Sequence, residues 1–249
     1  MLVSRILKIT LVILSLIYLG MQSLGPEYEV YGSGLSTVML LILAVLYHQF
    51  SKIKRKRFYY FIILFAFGNL LGWYAYYDSF FIRNEALDIL YYITNSFFIA
   101  AYISLIIGLI SSLDLRVLLS EYLLAFIVLV VLDVFSVVII TSTTETVLNG
   151  YEYLLEFTYN AVVMTLLSFA LLQYLYRNDK KSMLFLIGSI CLVFSEIIQL
   201  AYYYVIEEHQ LSLIYSLLLV VGFLFFYLQS QLNFTGPIPA YTDEESSLN

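Results

Sequence analysis

Three acids and four amides stand inside stretches that are otherwise apolar: Asp133, Glu156 and Glu196, with Asn69, Asn95, Asn160 and Gln199. Glu196 is the most exposed to question, because "LVFSEIIQLAYYY" (192–204) gives it little polar company beyond Ser195 and Gln199. An acid at the centre of a membrane span costs about 2.5–3.5 kcal/mol on the insertion scale, so ionisable residues there face a bundle interior or a wet cavity. No lysine or arginine stands at comparable depth to pair with these three. A carboxyl buried without a cation favours its neutral form. In that form it can give up a proton as a general acid, or donate a structural hydrogen bond.

Glu196, Asn69, Asp133 and Glu156 are therefore the candidate catalytic residues, and Asn95, Asn160 and Gln199 the candidate lining of a substrate pocket. Glu152, Glu156 and Asn160 recur every fourth residue and share one helix face, while Gln199 follows Glu196 by three. Counting depth at about 1.5 Å per residue puts Asn69 near the midplane of its span and Glu196, Asn95, Asp133 and Asn160 on one side of it. One polar pocket opening outward is the expectation. The competing reading for the amides is that they only bridge helices, each contributing about 0.6 kcal/mol and up to about 1–2.

The elements that must carry these residues are membrane helices. The 249 residues are 62% hydrophobic and 12% charged, with a mean hydropathy of +0.90. A soluble domain carries roughly 45–50% apolar and about 25% charged residues. A span needs about 20 apolar residues, and eight stretches qualify: 6–24, 34–50, 58–77, 86–111, 117–141, 151–176, 182–205 and 210–232. Backbone groups in lipid must be satisfied within the segment, so each is helical, and barrel-like alternation is absent. The fold class is thus all-α and polytopic, one domain over 1–232 followed by a polar tail, 233–249. The first stretch, with Arg5 and Lys8 but no small-residue cleavage site after it, reads as a retained helix rather than a signal peptide.

The breaks between spans are sorted by charge. Arg5 and Lys8, "SKIKRKR" (51–57), Arg116 and "RNDKK" (177–181) fall on one side; "GPEYEV" (25–30), "DSFFIRNEA" (78–86), "TSTTETVLNGYE" (141–152) and "EEHQ" (207–210) fall on the other. Of the 12 lysines and arginines, Arg83 alone lies on the second side. The positive-inside rule places both termini in the cytoplasm. Tyrosines crowd the outer ends, at 74–77, 151–153 and 202–204, as an interfacial belt would.

The chain also resembles itself. "FGNLLGWYAYY" (67–77) aligns with "FSEIIQLAYYY" (194–204), setting Asn69 against Glu196 at an offset of 127. Two parallel four-helix halves, about 1–112 and 113–232, are the expectation, which differs from the inverted repeats of many transporters. Gly68 and Gly72 have the small-xxx-small spacing of close helix packing. Several chemistries are disfavoured. His48 and His209 are too few and too far apart for a histidine metal site, and there is no phosphate-binding glycine loop, G-x-S-x-G elbow or C-x-x-C. Cys191 has no second cysteine to pair with.

"FYYFIILFAFGNLLGWYAYYD" (58–78), "NSFFIAAYISLIIGL" (95–109) and "LFLIGSICLVFSEIIQLAYYY" (184–204) resemble the YhhN family, which includes the lysoplasmalogenases. They look like its Gly-Asp helix, the helix after it, and its later Ser-Asp helix. The family's aspartates are here Asn69 and Glu196, and Ala100-Ala101 stand where a histidine is expected. The resemblance implies hydrolysis of the vinyl ether of a lysolipid, with Glu196 as acid and Asn69 orienting substrate or water. It implies a membrane lipid or lysolipid as partner, with no cofactor, metal or nucleic acid, in a bacterial inner or plasma membrane. Two other functions fit the same residues: an amphiphile-binding member without turnover, and a small proton-coupled transporter relaying through Glu196 and Asp133.

Overall fold

Charge and turn residues cut the apolar sequence into lengths of about 30 Å, and those lengths become helices. The structure, a computed structural model, describes residues 2–51, 54–75 and 89–235. The spans are α1 (Leu2–Gln22), α2 (Glu29–Phe50), α3 (Lys56–Ala75), α4 (Ile89–Ile110), α6 (Leu123–Ser142), α7 (Gly150–Arg177), α8 (Lys180–Tyr204) and α9 (His209–Ser230), with a short α5 (Leu115–Glu121) before α6. Eight of these are long and apolar enough to cross a membrane, and the chain is an all-α polytopic membrane protein. Arg83, Tyr76, Tyr77, the loop 78–86 and the tail beyond Thr235 lie outside the described residues.

Two expected boundaries move. The stretch 117–141 is not one helix, because Asp114 caps α5 through the amides of Arg116 and Val117 and the chain breaks at Tyr122. Arg116 and Glu121 stay exposed while Val117 and Leu118 are buried, so this helix of about two turns lies along the bundle edge. The segment 25–30 is not wholly a connection either. One 3-10 turn over Pro26–Tyr28 leads straight into α2, which starts at Glu29. A proline followed by acids is a helix-start signal, and it outweighs the charge that suggested a loop. At the far end of the sequence, α7 opens on a capping box between Asn149 and Glu152, and α8 on one between Asp179 and Ser182.

Successive helices pack side by side within residues 2–110 and again from α6 to α9. The two runs meet where α4 lies on α7 and where α1 lies on α9. Seven helices, α1, α2, α3, α4, α7, α8 and α9, thus close a ring. α6 stays outside it against α7, with only Val137 and Thr141 buried. The middle of the ring is aromatic. Phe61 stacks on Phe223 at 5.5 Å and meets Phe226 edge-on at 5.7 Å. Phe65 meets Tyr102 at 5.9 Å and Phe223 at 5.1 Å. Such pairs add about 0.5–1.5 kcal/mol each beyond the area they bury.

Of Gly68 and Gly72, only the first marks a close helix contact. Gly68 accepts the Phe98 ring, but a Cβ on Gly72 would find only the Thr94 methyl, at 3.8 Å. The tight crossing is α8 on α9: a Cβ on Gly188 would come within 2.8 Å of the Phe226 ring and 3.2 Å of the Gly222 carbonyl. Phe226 is fully buried among Phe58, Phe61 and Phe185 and has nowhere to go. Gly188→Ala should therefore lower stability by about 1–3 kcal/mol through overpacking, whereas Gly72→Ala should be neutral or slightly stabilising. Thermal unfolding in detergent measures both, and equal midpoints for the two variants would refute the close crossing.

Candidate functional site

Glu196 sits in the outer half of α8, one residue after Ser195, whose hydroxyl donates to the Tyr215 carbonyl at 2.7 Å and pins α8 to α9. Both carboxyl oxygens of Glu196 are engaged. Tyr102 of α4 donates to Oε1, and Tyr159 of α7 donates to Oε2 at 2.6 Å. The two phenol rings stand edge to face, 5.8 Å apart, and are almost wholly buried. Three helices are thereby held at one carboxyl. Sequence reading did not single out either tyrosine. The available signal was their depth, since both lie far from the ends where belt tyrosines gather.

Glu196 is also partly exposed, on the side that faces a cavity of about 100 Å³. All seven ring helices contribute to its wall, and every contributing segment lies toward the outer end of its helix. Asn69 and Gln199 line it with Glu196. Asn69 is held by Ser36 of α2, which donates to Oδ1 at 3.1 Å, while its own Nδ2 donates to the Phe65 carbonyl at 3.3 Å. Positions 69 and 196, which align in sequence, thus line one chamber.

A second carboxyl lines the same cavity. Glu29, in the first turn of α2, accepts a hydrogen bond from the Tyr202 hydroxyl, and a negative charge at that position is favoured by the helix dipole. No lysine, arginine or histidine is among the wall residues. Tyr18 and Gln22 close the α1 side, bonded to Ser216 at 3.0 Å and Ser212 at 2.7 Å of α9. The cavity therefore offers two acids, three amides and several phenols to an occupant. Such a wall suits a neutral or positively charged polar group, and it includes aromatic faces of the kind that hold ammonium ions.

The remaining sequence candidates lie apart from this wall. Glu156 accepts from Tyr91 at 3.1 Å and from Asn160 at 3.3 Å, and Asn160 also reaches Thr141 of α6 at 3.2 Å. Asp133 of α6 accepts from Ser168 of α7 at 2.8 Å, which ties the outlying helix to the ring. Asn95 donates back to the Tyr91 carbonyl of its own helix at 2.9 Å. α6 stands outside the ring, and its polar contacts run to Asn160 and Ser168 of α7. The single expected pocket is three separate polar clusters.

No family model, curated protein or solved structure matches the chain.

Removing one phenol leaves a buried carboxyl oxygen short of a donor, which costs about 1–3 kcal/mol. Tyr159→Phe should lower the unfolding midpoint in detergent by that amount. Combined with Glu196→Gln, the loss should be smaller than the two single losses added, by roughly 1 kcal/mol or more, because the pair acts as one unit. Strict additivity would show that the phenol and the carboxyl are energetically independent.

Proposed function

We propose that the chain is a membrane-embedded hydrolase that takes the polar end of a single-chain amphiphile into the outer cavity and cleaves an ether bond there, in the manner of a lysoplasmalogenase. The observation that supports this most is the presence of two carboxyls, Glu196 and Glu29, on one cavity wall. Vinyl ether hydrolysis needs a proton delivered to the alkene carbon, stabilisation of the resulting oxocarbenium ion, and a water directed at it. General acid–base groups in such roles typically contribute 10²–10⁴-fold. Glu196 is the acid. Its phenol partners keep it oriented, and the proton that Glu29 takes from water returns to it through solvent between turnovers. Glu29 accepts a proton from the attacking water, and its negative charge faces the cation that forms. Asn69, fixed by Ser36, orients the water or the ether oxygen. The hemiacetal that results collapses to an aldehyde and an alcohol. The absence of cations from the wall suits the uncharged ether end of such a lipid, with the phosphate and the amine beyond it left toward the aqueous mouth.

A second reading, an amphiphile-binding protein without turnover, is favoured by one feature: both oxygens of Glu196 already carry phenol donors. The two separate in one experiment. Purified protein incubated with a 1-alkenyl lysophospholipid should release fatty aldehyde, measured with a coupled dehydrogenase. Glu196→Gln and Glu29→Gln should each reduce the rate by about 10²-fold or more, and Asp133→Asn should leave it within about twofold. Saturable lipid binding with no aldehyde from the native protein would exclude the hydrolase and leave the binding reading.

A further inference from the structure

The opposite end of the ring, which charge assigns to the cytoplasm, holds a second cavity, of about 50 Å³, and its chemistry is the reverse of the first. Arg55, Arg57 and Lys181 line it, with the amides of Gln173 and Gln229. Phe234, just beyond α9, closes it. Three cations from three parts of the chain converge on that ring: the Arg55 guanidinium at 4.7 Å, that of Arg177 at 4.8 Å and the Lys181 ammonium at 5.0 Å.

The cluster is built rather than incidental. The backbone of Arg55 is pinned by the buried Tyr47 hydroxyl, which accepts from its amide at 2.7 Å. Lys181 is 3% exposed, an unusual position for a lysine, and donates to the Leu232 carbonyl. The segment that carries Phe234 is anchored on both sides: Gln231 donates to Ser51 at 3.1 Å, and the Thr235 amide donates to Asp179 at 2.9 Å. Arg177 donates one amino group to the Ser112 carbonyl at 2.6 Å, while its Nε is buried with no hydrogen-bond partner among the described residues. Asp179, the nearest acid in sequence, directs its carboxyl at the Ser182 amide and hydroxyl and at Thr235. Burial holds the Arg55 guanidinium below its ordinary range; the Tyr47 phenol opposes this, and the like charge of Arg177 adds to it. Topogenic lysines and arginines need only project into water. Here Lys181 is buried and Arg177 half-buried, and the more exposed Arg55 turns onto the same ring.

We propose that this cluster is an anion site for a phosphate group, belonging either to a lipid headgroup or to a small soluble phosphate, with Arg55, Lys181 and Arg177 as its charges and Gln173 and Gln229 as its neutral donors. Guanidinium groups suit phosphate because their paired N–H donors match its oxygens. The site lies at the basic ends of α3, α7 and α8, the level at which anionic headgroups sit. It is independent of the outer cavity and of any activity there.

The test uses full-length protein in a zwitterionic detergent, followed by thermal unfolding. Inorganic phosphate is titrated against sodium chloride at equal ionic strength, and in parallel the protein is placed in phosphatidylcholine nanodiscs with and without phosphatidic acid. A saturable rise in midpoint with phosphate beyond the chloride control assigns a soluble phosphate. A rise with phosphatidic acid alone assigns a lipid headgroup. In either case Arg55→Gln, whose side chain is exposed enough to be replaced without unfolding, should weaken the effect at least tenfold while leaving the ligand-free midpoint in place, and Arg55→Lys should restore most of it. The proposal is overturned if neither probe exceeds its control, or if Arg55→Gln responds as the native protein does. It also fails for the intact chain if phosphate acts only after truncation beyond Thr235, since the acids of residues 243–245 would then be the natural occupants.

Discussion

A carboxyl within a membrane bundle must be satisfied by the protein, because no water reaches it freely and no cation lies near enough in sequence to neutralise it. In this chain Glu196 meets that requirement with two phenols, one from α4 and one from α7. The choice has architectural consequences. α4 is the last helix of the first four and α7 the second of the last four, and their contact is one of the two seams where those groups meet. The Tyr102–Glu196–Tyr159 bonds cross that seam and bring α8 to it. The bonds that brace this seam also aim a carboxyl into the outer cavity, so the site and one of the two seams are linked.

The ring then divides along its axis by chemistry. Acids and amides gather at the outer end, cations and amides at the basic end, and between them lies a plug in which Phe61, Phe65, Tyr102, Phe223 and Phe226 are each under 10% exposed. Aromatic packing of this kind is rigid, since each ring is braced by several others. A through-going polar path would have to displace the plug. The two chambers therefore act separately, which is why reading the outer one as a reaction or binding site needs no movement of charge across the membrane. The same separation lets opposite electrostatic characters coexist in a bundle whose wall is apolar.

Much of this was legible in the sequence, and the limits of legibility follow one rule. Properties carried within a single helix could be read: the span positions, the one-sided basic loops, the Glu156–Asn160 contact at i, i+4, and the cost of Glu196. Properties that depend on which helices are neighbours could not. Asp133 has the right depth for the cavity but sits on α6, outside the ring, where its partner is Ser168. Tyr102 and Tyr159 stand on different helices from Glu196, 94 and 37 residues away, and no periodicity links them. Gly188 and Gly222 form the close crossing without any small-xxx-small spacing, because each supplies its own helix with one glycine and the match is made only in space. Gly68 and Gly72 had the spacing, and only one of them is filled.

The asymmetry between the repeat positions follows from the same local accounting. Asn69 and Glu196 align in sequence and share a cavity, yet one is an amide and the other an acid. Around Glu196 stand two buried phenols able to carry a carboxylate. Around Asn69 the bonds available are one hydroxyl, Ser36, and a backbone carbonyl of its own helix, Phe65. A carboxylate at 69 would repel that carbonyl and keep a single donor, whereas an amide satisfies both, donating to one and accepting from the other. The amide is thus what this neighbourhood can support. A chemistry that needs a second acid must find it where a charge is stabilised at lower cost, and the first turn of a helix near the aqueous end is such a place. Glu29 occupies it, lining the same cavity as Glu196 from a position that neither the alignment of 69 with 196 nor the periodicity of α3 and α8 would indicate.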